Sequence, residues 1–148
     1  MTQQGSATPH TVLLVEGVPI IRRGLKKIIE EAGFNVIDTG DAKAAAKIYR
    51  EDSTNIALVI ADNGTLSQLL KDPGLGLASS IREINTEVPI AIMGVEPVVE
   101  LSGKVEALQD SRTTVIKKSP FGPAQFQGLL DRMGVEKPAK PERGVGIV

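Results

Sequence analysis

Two acidic residues stand where an apolar run ends. Thr11-Val12-Leu13-Leu14-Val15 leads into Glu16, and Ile56-Ala57-Leu58-Val59-Ile60-Ala61 leads into Asp62. Short apolar runs of this length read as strands of a parallel sheet covered on both faces. In open α/β sheets the ligand crevice lies beyond the carboxyl ends of the strands, so both carboxylates are expected to point into it. Their chemistry there is that of a divalent-cation or phosphoryl site. Blander readings stand beside this one. Asp62-Asn63-Gly64-Thr65 also suits a tight reversal after a strand. Glu16 also suits the start of a following helix, where the helix dipole favours an anion.

Other residues with chemical potential carry less. His10 is the only histidine and precedes the first apolar run; a phosphocarrier histidine would sit on an exposed helix face, so His10 reads as a bystander. Ala61-Asp62-Asn63-Gly64-Thr65-Leu66 has the outline of the Asp-x-Asp-Gly-Thr loop of haloacid-dehalogenase-type phosphatases. Aligning Gly64 and Thr65 puts Ala61 at the nucleophile and Asn63 at the general acid, and the chemistry is lost. Gly74-Leu75-Gly76-Leu77 has glycine spacing reminiscent of a dinucleotide site, but it follows a loop and not the first strand. Arg22 and Arg23 fall on the polar side of a helical pattern.

The elements that must position Glu16 and Asp62 alternate along the chain. Strand one spans Thr11 to Val15. Pro19 opens a helical pattern with Ile21, Leu25, Ile28, Ile29 and Ala32 on one face, and Gly33 follows its end, as helix punctuation requires. Asn35 to Thr39 is a second strand, Asp41 to Arg50 an Ala-rich helix, and Ile56 to Ala61 strand three. A loop from Asp62 to about Gly74 leads into a helix around Leu75 to Ile84. Pro89 to Met93 is strand four, followed by a helix near Val98 to Leu108. Thr113 to Ile116 is strand five, and Ala124 to Met133 a last helix carrying Phe126, Leu129, Leu130 and Met133. Five strands with a helix after each predict a doubly wound α/β fold with a five-stranded parallel sheet in the flavodoxin-like order 2-1-3-4-5 and helices on both faces.

At 148 residues the chain suits one domain with a real core, and its 41% hydrophobic and 24% charged residues are ordinary for a globular protein. Seventeen basic and 18 acidic residues leave a net charge of −1, which implies neither a nucleic acid nor an anionic membrane as partner. Cysteine is absent, excluding disulfides and thiolate metal sites. No run approaches the roughly 20 apolar residues of a membrane span, and residues 1–9 have no signal-peptide hydrophobic region, so a cytoplasmic location is expected. Residues 1–10 read as a flexible leader, 11–133 as the folded domain, and 134–148, rich in Lys, Pro, Gly and Glu, as a flexible tail.

Four segments fall together in order and spacing: Val12-Leu-Leu-Val-Glu-Gly-Val-Pro-Ile-Ile-Arg-Arg-Gly-Leu25, Ile56-Ala-Leu-Val-Ile-Ala-Asp62, Pro89-Ile-Ala-Ile-Met93 and Val115-Ile-Lys-Lys-Ser-Pro-Phe121. In these the stretch from Thr11 to Met133 resembles a response-regulator receiver domain of chemotaxis type, the phosphoacceptor module of two-component signalling. The resemblance implies that Asp62 is the phosphorylated aspartate, a carboxylate nucleophile that forms an aspartyl phosphate. It implies that Lys118 holds a phosphate oxygen as a compact point charge. It also implies that Glu16, Asp62 and the backbone carbonyl of Gly64 bind Mg²⁺ weakly. No turnover is implied beyond phosphoryl transfer onto and off Asp62. The implied partners are a histidine kinase or phosphotransfer protein and a downstream protein, met on the face of the fourth helix, fifth strand and fifth helix.

The departures from the family pattern are specific. Gly17 replaces the second acid of the magnesium pair. Gly94 replaces the hydroxyl residue that contacts the phosphoryl group, and Val115 replaces the aromatic switch residue. Ser119 separates Lys118 from Pro120, and the loop after Asp62 is about six residues longer than usual. A phosphorylatable receiver without the usual hydroxyl-plus-aromatic switch is one expectation. A pseudo-receiver, binding partners without phosphorylation, is the alternative.

Overall fold

Thr11–Val15 (β1), Pro19–Glu31 (α1), Asn35–Thr39 (β2), Ala42–Asp52 (α2), Ile56–Asp62 (β3), Pro73–Arg82 (α3), Ile90–Gly94 (β4), Val99–Ala107 (α4), Thr113–Lys117 (β5) and Pro123–Met133 (α5) follow one another in the computed structural model. The structure describes residues 9–63, 72–94 and 99–138. All strands pair in parallel, in the order β2-β1-β3-β4-β5. That is the flavodoxin-like order expected from the alternation of apolar runs and helical patterns. Much of the leader and tail expected from the sequence, residues 1–8 and 139–148, lies outside the described residues, as do residues 64–71 of the loop after Asp62.

Alternation along each strand divides the core in two. Leu13, Val15, Val59, Ala61, Ile90 and Ile92 face α2, α3 and α4, where they meet Ala45, Tyr49, Leu77, Ile81, Leu101 and Val105. The intervening residues Val12, Leu14, Leu58, Ile60, Ala91 and Met93 face α1 and α5, meeting Leu25, Ile29, Phe126, Leu129 and Leu130. A strand buried on both faces has no polar side to show, which is why these runs are continuously apolar.

Helix ends follow their sequence signals. Asp41 caps α2, its carboxylate accepting from the Lys43 amide at 3.1 Å. Pro73 opens α3 and Pro123 opens α5. Gly134 ends α5 at φ 69°, in the left-handed region that favours glycine. Val135 then returns to the α1–α5 side of the core.

The structure departs from the sequence reading in local ways. Among them, α3, expected around Leu75 to Ile84, runs from Pro73 to Arg82, and β4 ends at Gly94 and not Met93. A 3₁₀ turn, Ser53–Asn55, fills the link between α2 and β3. Asp62 is the last residue of β3 and pairs with Met93, and does not merely follow the strand. Ile21, expected on the buried face of α1, is 37% exposed, and Ile20 is 70% exposed. Both lie in the first turn of α1, level with the end of β1, where the sheet stops offering a surface to pack against. Among the described residues no helix is long and apolar enough to cross a membrane.

Candidate functional site

The sheet order reverses between β1 and β3, which are adjacent. Connections leaving these strands diverge and open a crevice at their carboxyl ends. Glu16 leaves β1 and Asp62 ends β3, so both acids stand at this switch point.

Glu16 is held by its main chain first. Its amide donates to the Thr39 carbonyl at 3.0 Å, extending the β1–β2 ladder by one residue. Its carbonyl accepts from Arg22 Nη1 at 2.7 Å. Arg22 is fixed in turn by Asp38 at the end of β2, Nε to Oδ2 at 3.2 Å, and Lys26 shares that carboxylate at 3.2 Å. A Cβ on Gly40 would come within 2.7 Å of Arg22 Nη1, so the absent side chain at position 40 admits the guanidinium. The Glu16 side chain is wholly buried. Its Oε2 accepts from the Val18 amide at 3.0 Å, which closes the turn into α1.

Lys118 comes from the far side of the sheet. Its amide donates to the Gly94 carbonyl at 2.9 Å and so extends the β4–β5 ladder past Lys117. The side chain then crosses the strand ends to both acids. Nζ lies 3.0 Å from Asp62 Oδ2, and 3.0 Å and 3.2 Å from Glu16 Oε1 and Oε2. Residues separated by up to 102 positions thus meet in one ion triad. The next peptide bond but one, Ser119–Pro120, is cis.

The electrostatics of the triad follow from burial. Desolvation works against the Lys118 ammonium, but hydrogen bonds and attraction from Glu16 and Asp62 outweigh it and raise the lysine pKa above 10.5. Lys118 is therefore charged at neutral pH and faces both carboxylates. Glu16 Oε1 is buried and accepts no hydrogen bond; the ammonium is close but not aligned to donate to it. A buried carboxylate oxygen with unused lone pairs, beside a second carboxylate, suits a hard cation. Mg²⁺ commonly takes one or two carboxylates and keeps several waters, and Glu16 and Asp62 match that donor count. Among the described residues no group of three His, Cys, Asp or Glu is placed to hold a metal ion. Gly64, whose carbonyl is the third expected ligand, lies outside the described residues.

The residues that depart from the family pattern also have definite places. Gly94 ends β4 and pairs with Lys117. Val115 is half-buried and packs against the α2–α3–α4 side of the core. It also lines a groove of about 490 Å³ between α4, β5 and α5, together with Ser102, Phe121, Gln125, Leu129 and Arg132.

Two residues at the site escape a reading of the sequence. Arg22 looked like one of two solvated arginines, yet it holds the Glu16 carbonyl. The signal was Asp38, an acid at the end of the neighbouring strand. Asn63 looked like turn chemistry. Its Oδ1 accepts from the amides of Gly74 at 2.9 Å and Leu75 at 3.2 Å, so it caps α3 across the loop. Its only sequence signal was an Asn next to the acid.

Comparison with known proteins bears on the fold. No family model matches the chain, and no curated protein sequence matches it significantly. Solved structures do match. A response-regulator receiver domain protein from Clostridium thermocellum superposes with a TM-score of 0.71 at 15% identity, over 84% of this chain and 94% of that one. A chemotaxis response regulator of Vibrio cholerae gives 0.67 at 20% identity, over 85% and 99%. The receiver domain of a sensor histidine kinase from Pseudomonas aeruginosa, solved with magnesium in its active-site cleft, gives 0.66 at 21% identity, over 86% and 99%. Near-complete coverage of these partners, together with the strand order and helix placement, shows that this chain has the fold of response-regulator receiver domains.

Proposed function

We propose that the protein is a receiver in phosphorelay signal transduction, accepting a phosphoryl group on Asp62 and signalling through protein contacts. The observation that carries this reading is the Asp62 carboxylate at the switch point, with Lys118 Nζ at 3.0 Å and Glu16 joined to the same ammonium. A histidine kinase or phosphotransfer protein is the donor. An Asp62 carboxylate oxygen attacks phosphorus, the P–N bond to the donor imidazole breaks, and the electron pair leaves with the ring nitrogen. The product is an aspartyl phosphate. Lys118, already charged and beside Asp62, stabilises negative charge on the phosphoryl oxygens. Mg²⁺, held by Glu16, Asp62 and the Gly64 carbonyl, would offset further charge on those oxygens. No turnover of an outside substrate is part of this reading. Its output contact is the groove between α4, β5 and α5, which Val115 helps to line.

The test is incubation with excess small-molecule phosphodonor and Mg²⁺, followed by mass spectrometry. An acid-labile phosphate on Asp62, missing in Asp62→Asn, is expected. Its absence from the native protein would sink the reading.

A second reading rests on Gly17, Gly94 and Val115, which remove one carboxylate, one hydroxyl and one aromatic ring from the expected machinery. The protein is then a pseudo-receiver, and Lys118 serves only as the shared counter-ion of two buried acids. In that case Asp62→Asn leaves affinity for its partner unchanged, whereas a phosphorylation-dependent receiver loses its response.

A further inference from the structure

The side chain next to the acceptor is bonded away from the site, and its partners form a chain. Asn63 is anchored to β4 through its amide, which donates to the Met93 carbonyl at 2.8 Å. Its side-chain Oδ1 caps the first turn of α3, and its Nδ2 donates to Asp72 Oδ1 at 2.9 Å. Asp72 holds the left-handed conformation, φ 53°, just before α3. Its other oxygen, Oδ2, accepts from Lys104 Nζ at 2.7 Å, and Lys104 lies in the last turn of α4. Gly74 lets the parts approach, since a Cβ there would stand 3.1 Å from Asn63 Oδ1 and 3.0 Å from Ile92 Cγ2. Two side-chain contacts therefore join the residue after Asp62 to α4, across the ends of the 64–71 segment.

We propose that this Asn63–Asp72–Lys104 chain is the route by which occupancy of the acidic site reaches α4. The inference rests on the phosphoacceptor reading and adds its missing switch. Gly94 offers no hydroxyl to follow a phosphoryl group, and Val115 no ring to swing. Asn63 shares a peptide unit with Asp62, so a shift of the Asp62 main chain moves the α3 cap and Asp72 with it. Lys104 is exposed and its ion pair with Asp72 is correspondingly weak, so the link biases the position of α4 by a few-fold at most.

The test is a set of ¹H–¹⁵N spectra of the full chain with Mg²⁺ and beryllofluoride, a mimic of aspartyl phosphate. Native protein is compared with Lys104→Met and Asp72→Asn. Asn63→Ala removes a helix cap and risks unfolding, whereas Asp72→Asn keeps an acceptor for Asn63 and replaces the oxygen that accepts from Lys104 with an amide donor. The proposal expects native shifts at Glu16, Asp62 and Lys118 together with shifts at Leu101 to Val105. In both variants the α4 shifts should fall at least twofold while the site shifts persist. Unchanged α4 shifts in the variants, or native site shifts without any at α4, overturn the relay and leave the acceptor intact. Silence at Glu16, Asp62 and Lys118 in the native protein removes the acceptor reading, and the relay with it.

Discussion

Lys118 is the residue on which the site turns, because it is the charge that lets two buried acids coexist. Removing one partner of a buried ion pair leaves the others desolvated and uncompensated, at a cost of about 3 kcal/mol. Lys118→Met should lose about that much in urea denaturation, and Mg²⁺ should recover part of it by taking over the role of cation. The pH dependence has a definite sign. The folded pKa of Lys118 is raised, so its stabilisation is complete below the unfolded value near 10.5 and is lost as pH climbs through the folded value. The gap in unfolding free energy between native protein and Lys118→Met should therefore hold at neutral pH and narrow above about pH 10.5. A gap that stays constant through that range would mean that Lys118 acts by packing alone. The positions of Glu16 and Asp62 were legible because each directly follows an apolar run. Arg22 was not, because its bond goes to a carbonyl that every residue possesses.

Elements are joined far from the site by a second, part-buried network. Arg82, in the last turn of α3, donates to Asp110 Oδ2 at 2.6 Å, to Thr113 Oγ1 at 3.0 Å and to the Asn85 carbonyl at 3.1 Å. Asn85 reaches the Tyr49 hydroxyl of α2 at 3.0 Å, so α2, α3 and β5 are tied at one end of the sheet. Burial alone would raise the Asp110 pKa, but Arg82, Thr113 and the Arg112 amide together pull it below 3.8. A depressed carboxylate stabilises above its unfolded pKa and loses that contribution as pH falls through the folded one. Asp110→Asn should thus be less stable than native protein at pH 7, by about 1–2 kcal/mol for a charge-assisted hydrogen bond, and the difference should shrink below about pH 4. Equal acid transitions for the two proteins would show that the network contributes nothing. The strands and most helices of this frame were readable from apolar runs and period-3.6 patterns. Helix starts were less so: α3 begins at Pro73 because Asn63, across a loop, supplies its cap. A cap brought from eleven positions away adds nothing to the local pattern, in which Pro73 alone marks the start of the helix.

For the whole molecule, the reversal of strand order brings two carboxylates into one crevice, where both meet the Lys118 ammonium. A ligand that binds only the folded state adds RT ln(1 + [L]/Kd) to stability, about 1.4 kcal/mol at tenfold excess over Kd. In a domain of this size that raises the melting temperature by about 4 °C. Mg²⁺ should produce such a rise in the native protein, and Glu16→Gln or Asp62→Asn should abolish it, although each variant also changes baseline stability. Ca²⁺ and an equal ionic strength of NaCl separate cation choice from screening: NaCl should leave the difference between native and variant curves unchanged. An identical Mg²⁺ response in all three proteins would place the cation elsewhere on the surface. The crevice would then hold no ion besides the lysine, as the pseudo-receiver reading requires.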